Sequence, residues 1–228
     1  MDADLRRRML AYYDERAPDY EEAYTLGTGT ASITDPAVFT REIPQLVAVV
    51  RGFGQGRLLD LACGTGYWLP HYADGCASIT LFDQSSNMLA EARAKTDRLG
   101  ITARCAFRCG DFFDSTFEPS AYDRVLVGFF LSHLTEDQEP ALFDSLRRML
   151  APGGRCLILD SAWTPERATV NTREERQQRR LNSGATFEIY KRYCDRADIA
   201  GWTSTYGATL KIEHFGTAFY AVSGTFAS

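Results

Sequence analysis

The sequence predicts an α/β fold in which a mostly parallel sheet is covered by helices on both faces, and three observations carry that prediction. Between Gly56 and Asp160, short apolar runs alternate with amphipathic stretches, the rhythm of strand–helix units whose strands are buried on both sides. The first run, RLLDLA, leads directly into the glycine turn CGTGYW, and such a turn admits a ligand close to the backbone at the carboxyl end of a sheet. The last third breaks the rhythm: a charged stretch, EERQQRR, precedes two β-rich runs, TLKIEHF and TAFYAVSG, joined by Gly216.

In chain order, residues 3 to about 24 place Leu5, Met9, Tyr12, Tyr13 and Tyr20 on a rough helical period. TLGTGTASITDP, Thr25 to Pro36, is a loop by composition. Asp35-Pro36 caps and starts a helix through about Val50, ended by Gly52, Gly54 and Gly56. Strands are expected at 57–62, 78–83, 103–109, 122–130 and 155–160. A helix starts over Tyr67 to Tyr72, and another runs from Ser85 to Leu99 with Ser85 or Ser86 as N-cap. A third spans Glu136 to Leu150 and is stopped by APGG. DIAGWTSTY reads as a last helix, and the two final runs as an antiparallel hairpin at the sheet edge. One domain is expected. It has a helical N-terminal cap (1–54), a core (55–163), an insertion (164–194), and a final helix with the C-terminal hairpin (195–228).

Composition excludes several function classes. The 228 residues suffice for one sizeable core, and 45% hydrophobic with 24% charged residues is the balance of a soluble globular chain. A net charge of −5 disfavours nucleic acid as a partner, because sequence-independent affinity for a phosphate backbone needs clustered Lys and Arg. No apolar run has the length of a membrane span, and MDADLRRRML lacks the apolar segment of a signal peptide, so a cytoplasmic location is expected. Cys63, Cys76, Cys105, Cys109, Cys156 and Cys194 form no CxxC pair and read as buried reduced thiols. His71, His133 and His214 make no ligand spacing with them, so no metal site is expected.

The glycine turn discriminates between cofactors. A dinucleotide loop wants GxGxxG so that the pyrophosphate can sit on a helix N-terminus. Here Gly64 and Gly66 are followed by Tyr67, Trp68 and Leu69, and the third glycine is missing. Asp60 closes the strand before the loop; its carboxylate would oppose a pyrophosphate but suits a positively charged ligand. S-adenosylmethionine, with its ammonium group, is such a ligand.

With these features the sequence resembles the class I S-adenosylmethionine-dependent methyltransferases over about residues 55–160, with four motifs in order. They are DLACGTG (60–66), TLFDQS ending strand two, GDFFD (110–114) and LAPGGRCLILD (150–160). The resemblance implies a Rossmann-like, seven-stranded, mostly parallel sheet of order 3-2-1-4-5-7-6, strand seven antiparallel, under an N-terminal helical lid. It implies that Asp60, Ala62, Gly64, Gly66 and Trp68 surround the methionine end of the cofactor, with Gly128 also in its site. By the same resemblance Asp83, with Gln84 and Met88, meets the ribose side, and Asp111 with Phe112 the adenine. Gly27 and Gly29 are candidate hinges of the lid.

Three segments outside the cofactor motifs bear on the methyl acceptor: YYDERAPDYEEAY, GFFLSHL and RLNSGATFEIYKRY. Through YYDERAPDY, GTGYW, FFLSHL, RRLNSG, FEIYK and GTAFYAV the chain is similar, over almost its full length, to the phosphonate O-methyltransferases of dehydrophos biosynthesis. That similarity implies O-methylation of an anionic small molecule, a phosphonate or carboxylate. Arg179 and Lys191 would grip the anion, because they fall on basic positions of that branch, whereas Arg180 and Arg192 fall on uncharged ones. The competing reading of Arg179 and Lys191 is a solvated charged face. His133 is either a core histidine or a donor or base beside the methyl. Tyr20, Tyr24 and Phe129 either pack the lid or line the acceptor pocket. N- or C-methylation of a secondary metabolite, a protein that binds S-adenosylmethionine without transfer, and a monomer or a homodimer all stay open.

Overall fold

The computed structural model describes residues 2–25, 35 and 37–226. The loop after Thr25, with its proposed hinges Gly27 and Gly29 and the helix-starting Pro36, lies outside the described residues. Helix α1 (Ala3–Arg16) is capped by Asp2, which accepts the Leu5 N–H at 2.8 Å, and it gives way at Ala17-Pro18 to a short 3₁₀ turn. One turn, α2 (Glu22–Thr25), follows, then α3 (Ala37–Phe53).

The core alternates as expected: β1 (Gly56–Leu61), α4 (Leu69–Tyr72), β2 (Cys76–Asp83), α5 (Ser86–Leu99), β3 (Cys105–Cys109), β4 (Tyr122–Gly128), α6 (Glu139–Met149) and β5 (Leu150–Ser161). Ser85 is the N-cap of α5, accepting the Met88 N–H, and Gly100 at φ +68° closes that helix in the left-handed conformation. APGG does not precede strand five but lies inside it. Leu150 pairs with Tyr122 and pairing resumes at Arg155 opposite Arg124, so the four residues between form a bulge. Helix α4 is a single turn because the chain doubles back at once. A Cβ on Gly75 would stand 2.1 Å from the Gly54 carbonyl oxygen, so only glycine allows that crossing.

After β5 come the hairpin β6 (Glu174–Arg180) and β7 (Thr186–Arg192), α7 (Arg196–Tyr206) with a capping box from Asp195 and Asp198, β8 (Ala208–Phe215) and β9 (Phe219–Phe226). The main sheet has the order β3-β2-β1-β4-β5-β9-β8, and β9 runs antiparallel to both neighbours. This is the expected order with β8 and β9 as the sixth and seventh strands. The β6–β7 hairpin is a separate two-stranded sheet. EERQQRR is therefore a strand, not a uniformly solvated face: Gln177 and Arg179 turn inward while Arg176, Gln178 and Arg180 stay exposed.

Helix α3 buries Phe39, Ile43, Leu46 and Val50 on one face of the main sheet, and α6 buries Leu142, Phe143 and Leu146 on the other. Helix α1 joins neither core. Its stripe Leu5–Met9–Tyr12 packs on Ile189 and Tyr190 of β7, so the first helix and the hairpin form one roof. Cys63, Cys76, Cys156 and Cys194 are buried, Cys105 is half-buried, and Cys109 is exposed, contrary to the expectation of burial. No helix among the described residues is long and apolar enough to cross a membrane.

Glu42 pins α3 to the β8–β9 turn, accepting N–H groups of Thr217 (2.6 Å), Ala218 (3.1 Å) and Phe219 (3.0 Å), with His214 Nε2 at 3.4 Å. Burial opposes its charge, yet the His214 and backbone hydrogen bonds outweigh burial and hold the carboxyl below its usual value. Glu42→Ala is expected to lose about 3 kcal/mol in denaturant unfolding at neutral pH, since three buried N–H groups lose their acceptor. A depressed carboxyl stabilises the fold above its unfolded value of 4.5, and that contribution disappears as the pH falls through the folded value. The stability gap between variant and wild type should accordingly narrow in acid.

Candidate active site

The turn after β1 holds three left-handed residues in five, Ala62 (φ +58°), Gly64 (+54°) and Gly66 (+71°). A non-glycine residue at such φ costs about 1–3 kcal/mol and persists only where neighbours enforce it. Here the Cys63 N–H donates to the Phe82 carbonyl at 3.0 Å, and the Gly64 N–H to Asp83 Oδ2 at 2.8 Å. Across the cleft, Phe129 at the end of β4 is also left-handed (φ +57°), held by its N–H to the Leu159 carbonyl at 2.7 Å. Strained residues thus mark both rims of one cleft at the carboxyl ends of the strands.

Ala62 and Gly64 line this cleft, with Asp83, Gln84 and Met88 along one side. Asp111, Phe112 and Gly128 complete the set of expected cofactor residues that the fold brings together there. Asp111 Oδ1 is engaged by the Phe113 N–H at 2.8 Å, and Arg6 of α1 lies 4.0 Å from its other oxygen. Asp60, Gly66 and Trp68 do not line the cleft. Asp60 is buried behind it, with Oδ2 accepting from Tyr72 Oη at 2.7 Å and Oδ1 without a partner among the described residues. Gly66 instead packs against Ala92 of α5, and the Trp68 indole fills the space beneath Gly128. Their side of the turn faces the helix core, so these three support the loop from behind.

Tyr20 roofs the cleft, its ring 3.4 Å from where a Gly64 Cβ would stand. Glu21 latches this roof: it accepts from Thr65 Oγ1 at 2.7 Å and pairs with Lys95 of α5.

A second chamber adjoins the cleft and shares Tyr13, Tyr20, Phe129 and His133 with it. All six residues expected on the acceptor side, Tyr20, Tyr24, Phe129, His133, Arg179 and Lys191, line this chamber. Tyr24 stacks on Tyr67 at 4.0 Å, and its hydroxyl meets that of Tyr20 at 3.2 Å. Tyr12, Tyr13, Arg16, Ser161 and Arg167 line it too. Tyr12, Tyr13 and Arg16 belong to the segment YYDERAPDYEEAY that the sequence points to, without being distinguished within it; Arg167 and Ser161 carry no signal in the sequence.

The cations of the chamber differ in their partners. Lys191 Nζ donates to Ser132 Oγ at 2.5 Å and lies 3.7 Å from Asp160 Oδ1. Burial pushes its ammonium down to about 8; Asp160 resists that shift, and Arg179 and Arg167 add to it. Arg179 donates to Gln177 Oε1, and among the described residues no carboxylate lies within 4 Å of it. Arg167 donates to the Ala162 and Ala218 carbonyls at 2.6 and 2.7 Å, tying β5 to β9. Arg192 pairs with Glu139 outside the chamber, and Arg180 is exposed.

His133 stands where the two spaces meet. Burial first, then Lys191 and Arg179, holds its pKa well below the usual value, so the ring is neutral. Nδ1 lies 2.8 Å from the Tyr190 carbonyl, which can only accept, so Nδ1 carries the proton. Nε2 is then an acceptor, and Tyr13 Oη donates to it at 2.6 Å. Burial keeps Tyr13 protonated well beyond the ordinary phenol range.

Residues 58–154 match the family model described as "Methyltransferase domain". Among curated proteins, a demethylmenaquinone methyltransferase of Clavibacter sepedonicus is 31% identical over 168 residues, 72% of this chain and 64% of that protein. A ubiquinone/menaquinone biosynthesis C-methyltransferase of Paracoccus denitrificans is 31% identical over 47% of this chain and 43% of its own. The chain thus spans less than two thirds of the length of these curated relatives. Among solved structures, a DhpI–SAM–HEP complex superposes with TM-score 0.81 at 26% identity over 99% of both chains. A DhpI–SAH complex gives 0.77 at 25%, over 99% of this chain and 98% of that one. The PH0226 protein of Pyrococcus horikoshii, at 17% identity and TM-score 0.66 over 92% of this chain and 99% of its own, shares the fold.

Burial raises Asp60 to about 7, against the Tyr72 hydrogen bond, and Asp83 to about 6, against the Ser85 and Gly64 N–H groups. A carboxyl raised in the fold contributes stability that is complete below its unfolded value of 3.8 and is lost as the pH rises through the folded value. The thermal midpoint of the ligand-free protein is therefore expected to fall between about pH 4 and 7, by a few degrees. Asp60→Asn should flatten the upper part of that slope; an unchanged slope would show Asp60 ionised throughout.

Proposed function

Because the chain belongs, by its matched domain and its fold, to the class I S-adenosylmethionine-dependent methyltransferases, we propose that it methylates an oxygen of a small anionic acceptor, a phosphonate or a carboxylate. The cleft fits S-adenosylmethionine. Gly64 and Gly128 line it, and each Asp83 oxygen, already engaged by one N–H, retains a lone pair for a ribose hydroxyl. Gln84, Met88, Asp111 and Phe112 would hold the remainder of the nucleoside. Bound there, the cofactor supplies an electrophilic sulfonium methyl.

The observation that carries the acceptor class is the chamber beside that cleft. It contains Arg16, Arg167, Arg179 and Lys191, and Arg179 has no carboxylate partner among the described residues. A buried guanidinium without a counter-ion is costly, and an anionic ligand removes that cost. Arg179 and Lys191 would orient the anion with charge-assisted hydrogen bonds. An anionic oxygen needs no general base. Neutral His133, its Nε2 occupied by Tyr13, then positions the Tyr13 phenol rather than taking a proton. The rings of Tyr20, Tyr24 and Phe129 would exclude water from the reacting atoms. A chamber with these cations suits an acid better than the quinones named in the curated relatives. The resemblance to phosphonate O-methyltransferases and the fit to DhpI along the whole chain support the same reading.

Calorimetric titration should show S-adenosylmethionine binding and no NAD binding. Labelled methyl from the cofactor should then reach phosphonates or carboxylates; transfer to uncharged phenols, amines or quinones alone would overturn the proposal. Arg179→Ala should cost about 100-fold in kcat/KM, mostly through acceptor KM, in line with about 3 kcal/mol for a buried charged contact. Acceptor KM should rise as the pH passes about 8, where Lys191 loses its proton. That limb should vanish in Lys191→Met, and a KM flat to pH 9 in the wild type would remove Lys191 from the grip.

A further inference from the structure

Arg16 is the charged group that this reaction leaves unused. It ends α1, is 92% buried by its 8% exposure, and donates to Tyr12 Oη. Its guanidinium lies 5.5 and 5.4 Å from the ring centres of Tyr12 and Tyr20. Among the described residues no carboxylate comes within 4 Å of it, whereas Arg192 has Glu139 and Arg167 has two carbonyls. Aromatic faces attract a cation by less than the burial of an unpaired charge costs, so an anionic ligand would stabilise Arg16.

The position of Arg16 indicates which anion. It lines the acceptor chamber together with Arg179 and Lys191, and it lines an outer polar vestibule with Asp19, Arg180 and Asn182, but it does not line the cofactor cleft. The vestibule lies on the seam between the first helices and the hairpin tip, which Asn182 clasps through Asp19 at 2.9 Å and Glu22 at 3.2 Å. The chamber shares Tyr13, Tyr20, Phe129 and His133 with the cleft, and it shares Tyr12 and Arg16 with the vestibule.

We propose that Arg16, with the Tyr12 hydroxyl, holds a second acidic group of the acceptor, remote from the oxygen that is methylated. The acceptor is then an acid at both ends: one anion on Arg179 and Lys191 beside the methyl, the other on Arg16. This inference rests on the anionic-acceptor reading above and adds a second charge to it. Arg16 acts as a specificity residue, rejecting monoacids because they leave its guanidinium buried and unpaired.

The test compares two probes that differ at the far end alone, 3-phosphonopropionate and propylphosphonate, titrated calorimetrically into the chain saturated with S-adenosylhomocysteine. The diacid is expected to bind at least 10-fold tighter. Arg16→Met should bring the ratio of the two affinities towards one, and Arg16→Lys should retain part of it. Equal affinities in the wild type sink the proposal whatever the variants do, and so does an Arg16→Met ratio that stays at the wild-type value. If Arg16→Met weakens S-adenosylhomocysteine while the ratio persists, Arg16 serves the cofactor and the proposal is wrong. If S-adenosylhomocysteine binds but neither phosphonate does, the anionic-acceptor reading itself has failed, and this inference with it.

Discussion

The hydrogen bond from the Gly64 N–H to Asp83 Oδ2 ties the carboxyl ends of β1 and β2 together, and the rest of the site depends on it. It closes a turn whose residues 62, 64 and 66 are all left-handed. Without such a clamp the strain at Ala62 would relax and the cleft floor would lose its shape. The clamp also keeps the Asp83 carboxylate out of water, at the mouth of the cleft. One carboxylate both shapes the loop and lines the cleft, its acidity reduced by burial.

Around this floor the molecule builds its roof from parts distant in sequence. Helix α1 lies on the β6–β7 hairpin rather than on the sheet, and β7 carries both Tyr190, whose carbonyl fixes the His133 tautomer, and Lys191. The first helix and the second chamber are consequently one unit. A change that moves α1 moves Tyr13, Arg16 and Tyr20 together, and Glu21 ties that motion to Thr65 and Lys95 around the cofactor loop.

Charge is distributed unevenly over the chain. The whole carries −5, yet the second chamber collects Arg16, Arg167, Arg179 and Lys191. The basic groups that serve the scaffold are satisfied: Arg192 by Glu139 outside the chamber, Arg167 by carbonyls. Those left without a carboxylate point to what the chamber receives. Lys191 is intermediate, half-compensated by Asp160 and depressed by its neighbours, which makes it the group whose charge a small change in pH can alter.

The core was legible because it rests on local physics. Apolar runs between Gly56 and Asp160, the Ser85 cap, and a glycine turn missing its third glycine each report on neighbours a few residues away. Sheet order and cofactor loop follow from those signals and from the motifs they contain. The lining of the second chamber was legible in part: Arg179, Lys191 and His133 stand in motifs of the sequence, but the charged run EERQQRR suits a solvated face equally well, and only a period of two, imposed by pairing with β7, turns Gln177 and Arg179 inward. What only the tertiary structure decided is which charges meet. Arg16 joins the chamber because α1 packs on β7, and Arg167 and Ser161 join it where β5 meets β9, while Asp60 and Trp68 sit behind the loop because packing, not motif, sets which side of a turn faces the cleft.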